Sequence, residues 1–338
     1  MKTYAGIDLH SSNNYIGVID AKDNRLYSRR HHNLMPDILK VLGKFKTTLQ
    51  GVVVESTYNW YWLVDGLMDH GYRVHLANPS AIKTYEGLKH TDDKWDSFWL
   101  AHLLRLGILP QGYIYPKEQR PIRDLLRRRQ LYVRHRTSHI LSLQSMITRN
   151  RGLNFDGCQI QRFRDDFIQK MFDCAHLVFT AQKQLATIRF LHRQIKEIEA
   201  VVRPQIQLKP EFEKLVTIPG IGDILALNIM SEVGDIKRFA KVGHYSSYCR
   251  CVSSKRLSNG KKKGENNKKN GNRYLGWAYV EAANFCKRNC AGARRFYQRK
   301  LAKTNKIVAI KALSNKLAKA SYYIIRDQVP FDANKLFG

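Results

Sequence analysis

Tyr4-Ala5-Gly6-Ile7-Asp8-Leu9, Asn14-Tyr15-Ile16-Gly17-Val18-Ile19-Asp20 and Leu26-Tyr27-Ser28-Arg29 follow one another closely and read as three strands. The first two are short apolar runs, and Asp23-Asn24 supplies a turn before the third. Ile38, Leu39, Val41 and Leu42 then fall at helical spacing. Gly51-Val52-Val53-Val54-Glu55 is β-branched, as expected of a buried strand. A helix over about 58–70, a strand at Tyr72-Arg73-Val74-His75-Leu76 and a helix over 94–107 complete this stretch.

The order strand, strand, strand, helix, strand, helix, strand suits an α/β ribonuclease-H-like domain, an antiparallel meander followed by parallel crossovers. After Tyr113-Ile114-Tyr115-Pro116 the texture changes. Residues 120–203 are helical and charged. Leu185, Ile188, Leu191, Ile195, Ile198 and Val202 recur at steps of three and four. That seam fits a coiled coil or an ordinary packed helix hairpin, a spacer or dimerisation arm in either case. A mainly α segment begins near residue 206. The expected division is 1–115, 116–205 and 206–338, in keeping with the room that 338 residues give for two or three domains.

The formal net charge is +30. Residues 1–110 hold 13 Lys and Arg against 11 Asp and Glu, which leaves 45 against 17 for the remainder. An excess so placed calls for a polyanion, and nucleic acid is the commonest. A membrane surface would instead want one basic amphipathic helix, whereas these cations are scattered. No apolar run reaches the roughly 18 residues of a membrane span, and the N-terminus shows no signal peptide. A cytoplasmic protein with reduced cysteines is expected.

Phosphodiester chemistry leans on hard cations, two of them about 4 Å apart, that activate the attacking oxygen and stabilise the leaving one. Magnesium takes oxygen ligands, so such a site is built of carboxylates. A ribonuclease-H-like domain puts one on its first strand, one at the end of its fourth and the rest on a later helix. Asp8, Glu55, Asp93 and Asp96 stand in that order. The spacing of Asp93 and Asp96 puts both on one helical face. Asp92 competes with Asp93 or serves as an N-cap. An acid ending a buried apolar strand is costly to place without a purpose.

Ile218-Pro219-Gly220-Ile221-Gly222 fits the turn of a helix-hairpin-helix, where Gly220 and Gly222 would let backbone N–H groups approach a phosphate, or a plain tight turn. Between Lys255 and Arg273 stand Lys255, Arg256, Lys261, Lys262, Lys263, Lys268, Lys269 and Arg273, with one acid, Glu265. Gly260, Gly264 and Gly271 give this stretch the character of a flexible loop that follows a phosphate backbone. Ser253, Ser254 and Ser258 sit in or beside it, and a serine near a scissile phosphate can act as nucleophile. Cys249 with Cys251 and Cys286 with Cys290 are poorly spaced for zinc and read as structural thiols. His31-His32 reads as surface, and Trp95 and Trp99 as packing residues.

Taken together, Tyr4-Ala5-Gly6-Ile7-Asp8, Val54-Glu55-Ser56-Thr57, Asn78-Pro79, Thr91-Asp92-Asp93-Lys94-Trp95-Asp96, Ile218-Pro219-Gly220-Ile221-Gly222 and Val329-Pro330-Phe331-Asp332-Ala333 resemble, in order and spacing, the insertion sequence 110 family of DEDD transposases. The resemblance implies a RuvC-like N-terminal domain, a helical coiled-coil region and a mainly α C-terminal transposase domain. It implies that Asp8, Glu55, Asp93 and Asp96 hold Mg2+, with Mn2+ able to substitute. Ser258 matches the family's nucleophile, which joins the acidic site of another protomer. A homodimer or tetramer, donor and target DNA, and a structured bridge RNA that pairs with both are implied as partners, in a bacterial, nucleoid-associated setting. The chain departs from the pattern at Ser253, where the family often has proline, and at Asn259, where glycine or serine commonly follows the nucleophile. Ser253 and Ser254 therefore stay open beside Ser258. A junction-resolving nuclease that uses water and a non-enzymatic nucleic-acid binder are the rival classes.

Overall fold

The computed structural model describes residues 1–82, 92–204, 210–254, 256–265 and 270–338. They form two compact units, Met1–Lys117 and Glu118–Gly338.

The first unit is built on a mixed five-stranded sheet. Strands β1 (Thr3–Leu9), β2 (Asn13–Asp20) and β3 (Arg25–His32) make an antiparallel meander. Helix α1 (Met35–Gly43) leads to β4 (Leu49–Glu55), parallel to β1, and α2 (Tyr61–Asp69) leads to β5 (Val74–Ala77), parallel to β4. The sheet order is β3-β2-β1-β4-β5. Helix α3 (Asp93–Arg105) follows.

Strand alternation divides the residues between the two faces. Ala5, Ile7, Leu9, Val52 and Val54 turn one way and bury against Ile38 and Leu42 of α1 and Leu63, Val64 and Leu67 of α2. Tyr4, Gly6 and Asp8 turn the other way, as does Val53. On that side α3 covers the sheet with Phe98, Leu100, Ala101 and Leu103.

The approach of α3 is unusually close. Gly6 and Gly17 oppose each other on β1 and β2. A Cβ on Gly6 would sit 2.0 Å from the Ser97 carbonyl oxygen and 2.9 Å from the Ala101 nitrogen. On Gly17 it would sit 2.7 Å from Ser97 Oγ. The helix backbone lies directly on the sheet because neither strand carries a side chain there. At its C-terminal end Arg105 donates to Asp23 in the β2–β3 turn, with Nε at 2.7 Å.

The second unit is mostly helical. Helix α4 (Arg120–Arg151) opens on Pro121 and stops at Gly152, whose left-handed conformation caps it. Helices α5 (Gly157–Arg162) and α6 (Asp165–Met171) lead to α7 (Ala175–Val202), which runs back along α4. Leu185 and Ile188 of the expected seam pack with Ile140, Leu143 and Ile147 of α4 and with Ile160 and Ile168. Leu191, Ile195 and Val202 are buried as well. The seam is thus filled within one chain. The remaining helices are α8 (Pro210–Leu215), α9 (Asp223–Val233), α10 (Val242–Tyr248), α11 (Arg273–Asn289), α12 (Ala291–Leu301), α13 (Lys306–Asp327) and α14 (Ala333–Phe337). Their core centres on Tyr245, Tyr279 and Tyr322; the Tyr245 and Tyr279 hydroxyls meet at 2.6 Å. Among the described residues no helix is long and apolar enough to cross a membrane.

One part of the basic stretch differs from its reading as a flexible loop. Strands β6 (Arg256–Ser258) and β7 (Lys261–Gly264) pair as a hairpin. Asn259 (φ 50°) and Gly260 (φ 71°) form its turn. Two successive left-handed residues match the twist of a two-residue hairpin, and Asn-Gly supplies them at little strain. The composition hid this, because lysine and glycine are poor strand formers.

Gly6→Ala should destabilise the first unit by about 2–3 kcal/mol through overpacking. Gly43→Ala, with nothing within 4 Å of the added methyl, is the neutral control. Urea denaturation measures both, and equal midpoints would contradict the close-contact account.

Candidate active site

Two strands and one helix bring acids together on the α3 side of the sheet. Register does the first part. Ile7 stands beside Val54 on parallel β1 and β4, so one step on, Asp8 stands beside Glu55. On the other flank Asp8 opposes Tyr15, and Tyr15 opposes Arg30. Glu55, Asp8, Tyr15 and Arg30 therefore form a row across four strands. The first turn of α3 lies over this row with Asp93 and Asp96.

Asp8 is buried at 4% exposure. Burial pushes its carboxyl up to about 7; Glu55, which also hydrogen-bonds it, and Asp96 add to the rise, and His10 opposes it. The Asp96 carboxyl is raised as well, by burial first and then by Glu55, Asp93 and Asp92. Each of these acids feels the others, which is the electrostatic signature of one cluster. Asp92 is the N-cap of α3, its carboxylate accepting from Trp95 N at 2.7 Å.

Two basic groups that the sequence reading passed over complete the cluster. His10 Nε2 lies 3.3 Å from Asp8 Oδ2 and 3.2 Å from Asp93 Oδ2. Arg30 donates to the same oxygen of Asp93. His10 could have been found: it stands two residues beyond Asp8, hence on the same side of the chain. One ligand atom from each of Asp8, His10 and Asp93 lies within 4.8 Å of the others. Glu55 and Asp96 join the cluster through the electrostatic couplings above. The donors are carboxylate oxygens and one imidazole, and the carboxylates repel one another. That donor set fits a divalent cation such as magnesium or manganese.

The serines lie in the second unit. Ser258 is exposed at the end of β6, opposite Lys261, beside the hairpin turn. Ser253 is exposed; the Ser254 hydroxyl is buried with no hydrogen-bond partner among the described residues. Lys261 and Lys263 are exposed on β7. Lys255, Lys268 and Lys269 lie outside the described residues, as do the side chains of Arg256 and Lys262. Arg273 opens α11 and lies over the Tyr274 ring at 5.0 Å.

The segment carrying Ser258 is anchored by a buried network. Glu232 on α9 accepts two hydrogen bonds from Arg127 of α4, at 2.6 and 2.7 Å, and one from Asn272, at 2.6 Å. Asn272 caps α11, where the basic stretch ends. No sequence pattern signals this group, because Arg127 and Glu232 are 105 residues apart and Glu232 and Asn272 are 40 apart.

The glycine turn is flanked by α8 and α9. Gly220 (φ 97°) is pressed on α11, where a Cβ would sit 2.6 Å from the Ala282 oxygen and the Cys286 nitrogen. That glycine faces protein. Gly222, the N-cap of α9, borders open space. The four cysteines weighed for zinc are buried, and burial pushes the Cys251 and Cys286 thiols up to about 12. The His31 ring bonds the Tyr27 hydroxyl at 2.8 Å. Trp95 and Trp99 stack at 5.3 Å on α3, and Trp99 packs against the cluster of Val53, Ala77, Leu100 and Leu103.

Comparison with known proteins agrees with this geometry. The sequence model of IS110-type DEDD transposases matches residues 5–150, and that of the transposase IS116/IS110/IS902 family matches residues 212–298. The pilin gene-inverting protein of Moraxella bovis is 24% identical over 257 residues, 73% of this chain and 71% of that protein. An uncharacterised 43.6 kDa protein of insertion element IS110 from Streptomyces coelicolor is 26% identical over 118 residues, 35% of this chain and 29% of that protein.

The buried acid at β1 sets a pH dependence. With its carboxyl at about 7 when folded and near 3.8 ordinarily, Asp8 stays protonated in the folded state while the unfolded chain loses the proton. Its contribution to stability therefore falls as pH rises from about 4 to 7 and is level above. Asp8→Asn should raise the Tm of the metal-free protein by several degrees at pH 8 and little at pH 4.5. Calorimetry in EDTA that finds the same difference at both pH values would refute the buried-carboxylate account.

Proposed function

The chain belongs to the IS110 family of transposases, and on that premise we propose a DNA strand-transfer reaction in which Ser258 is the nucleophile and Asp8, Glu55, Asp93 and Asp96 hold divalent cations, Mg2+ foremost. The family makes the chain a DNA-recombining enzyme. The observation that carries the finer reading is the repulsion between buried Asp8 and half-buried Glu55 on adjacent parallel strands and Asp96 at the start of α3. The first unit is read as ribonuclease-H-like, consistent with its mixed sheet and with acids on its first strand, fourth strand and last helix.

Cations held there would neutralise charge on the phosphate and stabilise the leaving oxygen. The protein's own groups do the rest. The Ser258 hydroxyl gives up its proton and forms an Oγ–P bond as a deoxyribose oxygen leaves and takes up a proton. One phosphodiester replaces another, so rejoining is the same reaction in reverse and needs no outside energy source. His10 holds Asp8 and Asp93 in place and balances their charge until cations arrive. The buried Arg127–Glu232–Asn272 group steadies the end of the segment that carries Ser258.

The acids and the serine stand in different units, which suits a reaction shared between protomers of a dimer or tetramer. Phe179, Phe190 and Val201 support an assembly through α7: they recur every eleven residues and are exposed. The charge excess after residue 110 supports contact with donor and target DNA and with a bridge RNA, acting in the cytoplasm at the nucleoid. Target choice would then reside in base pairing outside the protein.

Ser258→Ala should abolish covalent attachment to DNA and strand exchange while DNA binding persists. The covalent product is seen as a labelled, denaturation-resistant complex on a gel. Its survival would move the nucleophile to Ser253 or Ser254, and cleavage without any attachment would favour water. Glu55→Gln should lower strand exchange by at least a hundredfold with the fold intact. Sequencing RNA that co-purifies with the protein tests the guide, and absence of one discrete species would remove it.

A further inference from the structure

The second unit contains a groove of about 1940 Å3 that the reaction described above does not use. Helix α13 forms its floor, α12 and α14 close one side, and residues 250–254 close the other. We propose that this groove binds a single strand of DNA and feeds it to Ser258. The proposal rests on the reading of Ser258 as nucleophile.

Size is the first reason. Small-molecule sites enclose roughly 300–1,000 Å3, so this space suits a polymer better. Its floor is a row of side chains on α13. Ile307, Lys311, Asn315, Lys319 and Tyr323 follow at steps of four, and all line the groove. Each step of four turns about 40° round the helix, so the row slants across α13 as it climbs. At 1.5 Å per residue the row is about 24 Å long. Spaced at roughly 3.4 Å, about seven nucleotides cover that length.

Charge is the second reason. Lys311 and Lys319 line the floor, with Lys300 and Arg250 on the walls, while the Lys316 ammonium lies over the Phe296 ring and donates to Leu336 O at 2.5 Å. Burial and the neighbouring Arg299 and Lys319 hold the Lys316 ammonium below its ordinary value, so positive charge is crowded there. The groove also has three acids. Asp327 is bonded to Arg326 at 2.6 Å, and Asp332 caps α14 through Asn334 N and Lys335 N. Glu265 stands at the edge.

The floor's chemistry separates a single strand from a duplex. Tyr323 is 42% exposed and Ile307 73%. A duplex offers phosphates and hides its base faces, so it would add nothing to the Tyr323 ring beyond its contacts with Tyr322 and Arg326. An unpaired strand offers both phosphates for the lysines and bases for the ring. Chain continuity selects DNA over RNA. Ser253 and Ser254 line the groove, and Ser258 stands just beyond them on β6. The strand led to the serine is the one to be cut.

Binding of fluorescent oligothymidylates to the full chain, read by anisotropy, tests this. Affinity should rise with length up to about seven nucleotides and then level off. Tyr323→Ala should weaken binding of an eight-nucleotide strand about tenfold, whereas Tyr323→Phe, which keeps the ring, should bind as wild type. The double change Lys311→Ala, Lys319→Ala should lower the salt slope by about 1.4, since a single strand contributes about 0.7 for each phosphate neutralised. Photo-cross-links from 4-thiothymidine strands should fall on α13. The proposal is overturned if these variants bind as wild type with cross-links elsewhere. It is equally overturned if a duplex or oligouridylate of the same length displaces the strand as well as oligothymidylate does. Ser258→Ala separates the two readings: it should bind the strand as wild type, and covalent cleavage by that variant would remove the serine assignment while the binding result still decides the groove.

Discussion

The contact of α3 with the bare backbone of Gly6 and Gly17 governs the first unit. With side chains at those two positions the helix would stand off by the width of a methyl group or more. Its N-terminal turn would then lift away from the strand ends, and Asp93 and Asp96 with it. The acidic cluster therefore depends on the absence of atoms as much as on the carboxylates. The same contact explains why Ser97 is fully buried and bonds back to Lys94 of its own helix. No other hydroxyl partner fits in so narrow a gap. Arg105 and Asp23 fasten the far end of α3 to the β2–β3 turn, so both ends of the helix are tied to the sheet it covers.

Electrostatics divides the chain. The first unit gathers negative charge in one place and tolerates it only because His10 and Arg30 stand among the acids. Ionised carboxylates this close destabilise the metal-free fold, a cost that bound cations would offset under the proposed reaction. The second unit carries nearly all the surplus positive charge, which would suit phosphates whatever the sequence of bases. Under the same proposal the acids and the serine stand in separate units, and assembly of protomers would join them.

The second unit gains rigidity from buried polar groups. Arg127 reaches from the long helix α4 to Glu232, which also holds Asn272 at the end of the basic stretch. Breaking such a pair leaves a buried charge unmatched, so the three residues act together. The β6–β7 hairpin stands between this anchor and the segment of residues 250–254. Ser258 thus ends a paired strand beside a two-residue turn of defined twist, a firmer mount than a glycine-rich loop.

Strand order, the seven elements of the sheet region and the order of the four acids were all readable from residue types and their period, because alternation and β-branching are local properties. His10 was readable by the same rule of two. The Asn-Gly turn was readable too, but the surrounding lysines masked it. Other features needed tertiary structure. Arg30 reaches Asp93 only because β3 lies two strands from β1 and α3 crosses above. Gly220 is pressed on α11 because a helix more than fifty residues away packs on it. Glu232, Arg127 and Asn272 converge from distant helices. The sequence by itself determined which residues can take part, through chemistry and local period. Only the tertiary structure decided which of them meet, because contact between distant parts of a chain is set by how side chains fill the space between its elements, and no short-range pattern records that.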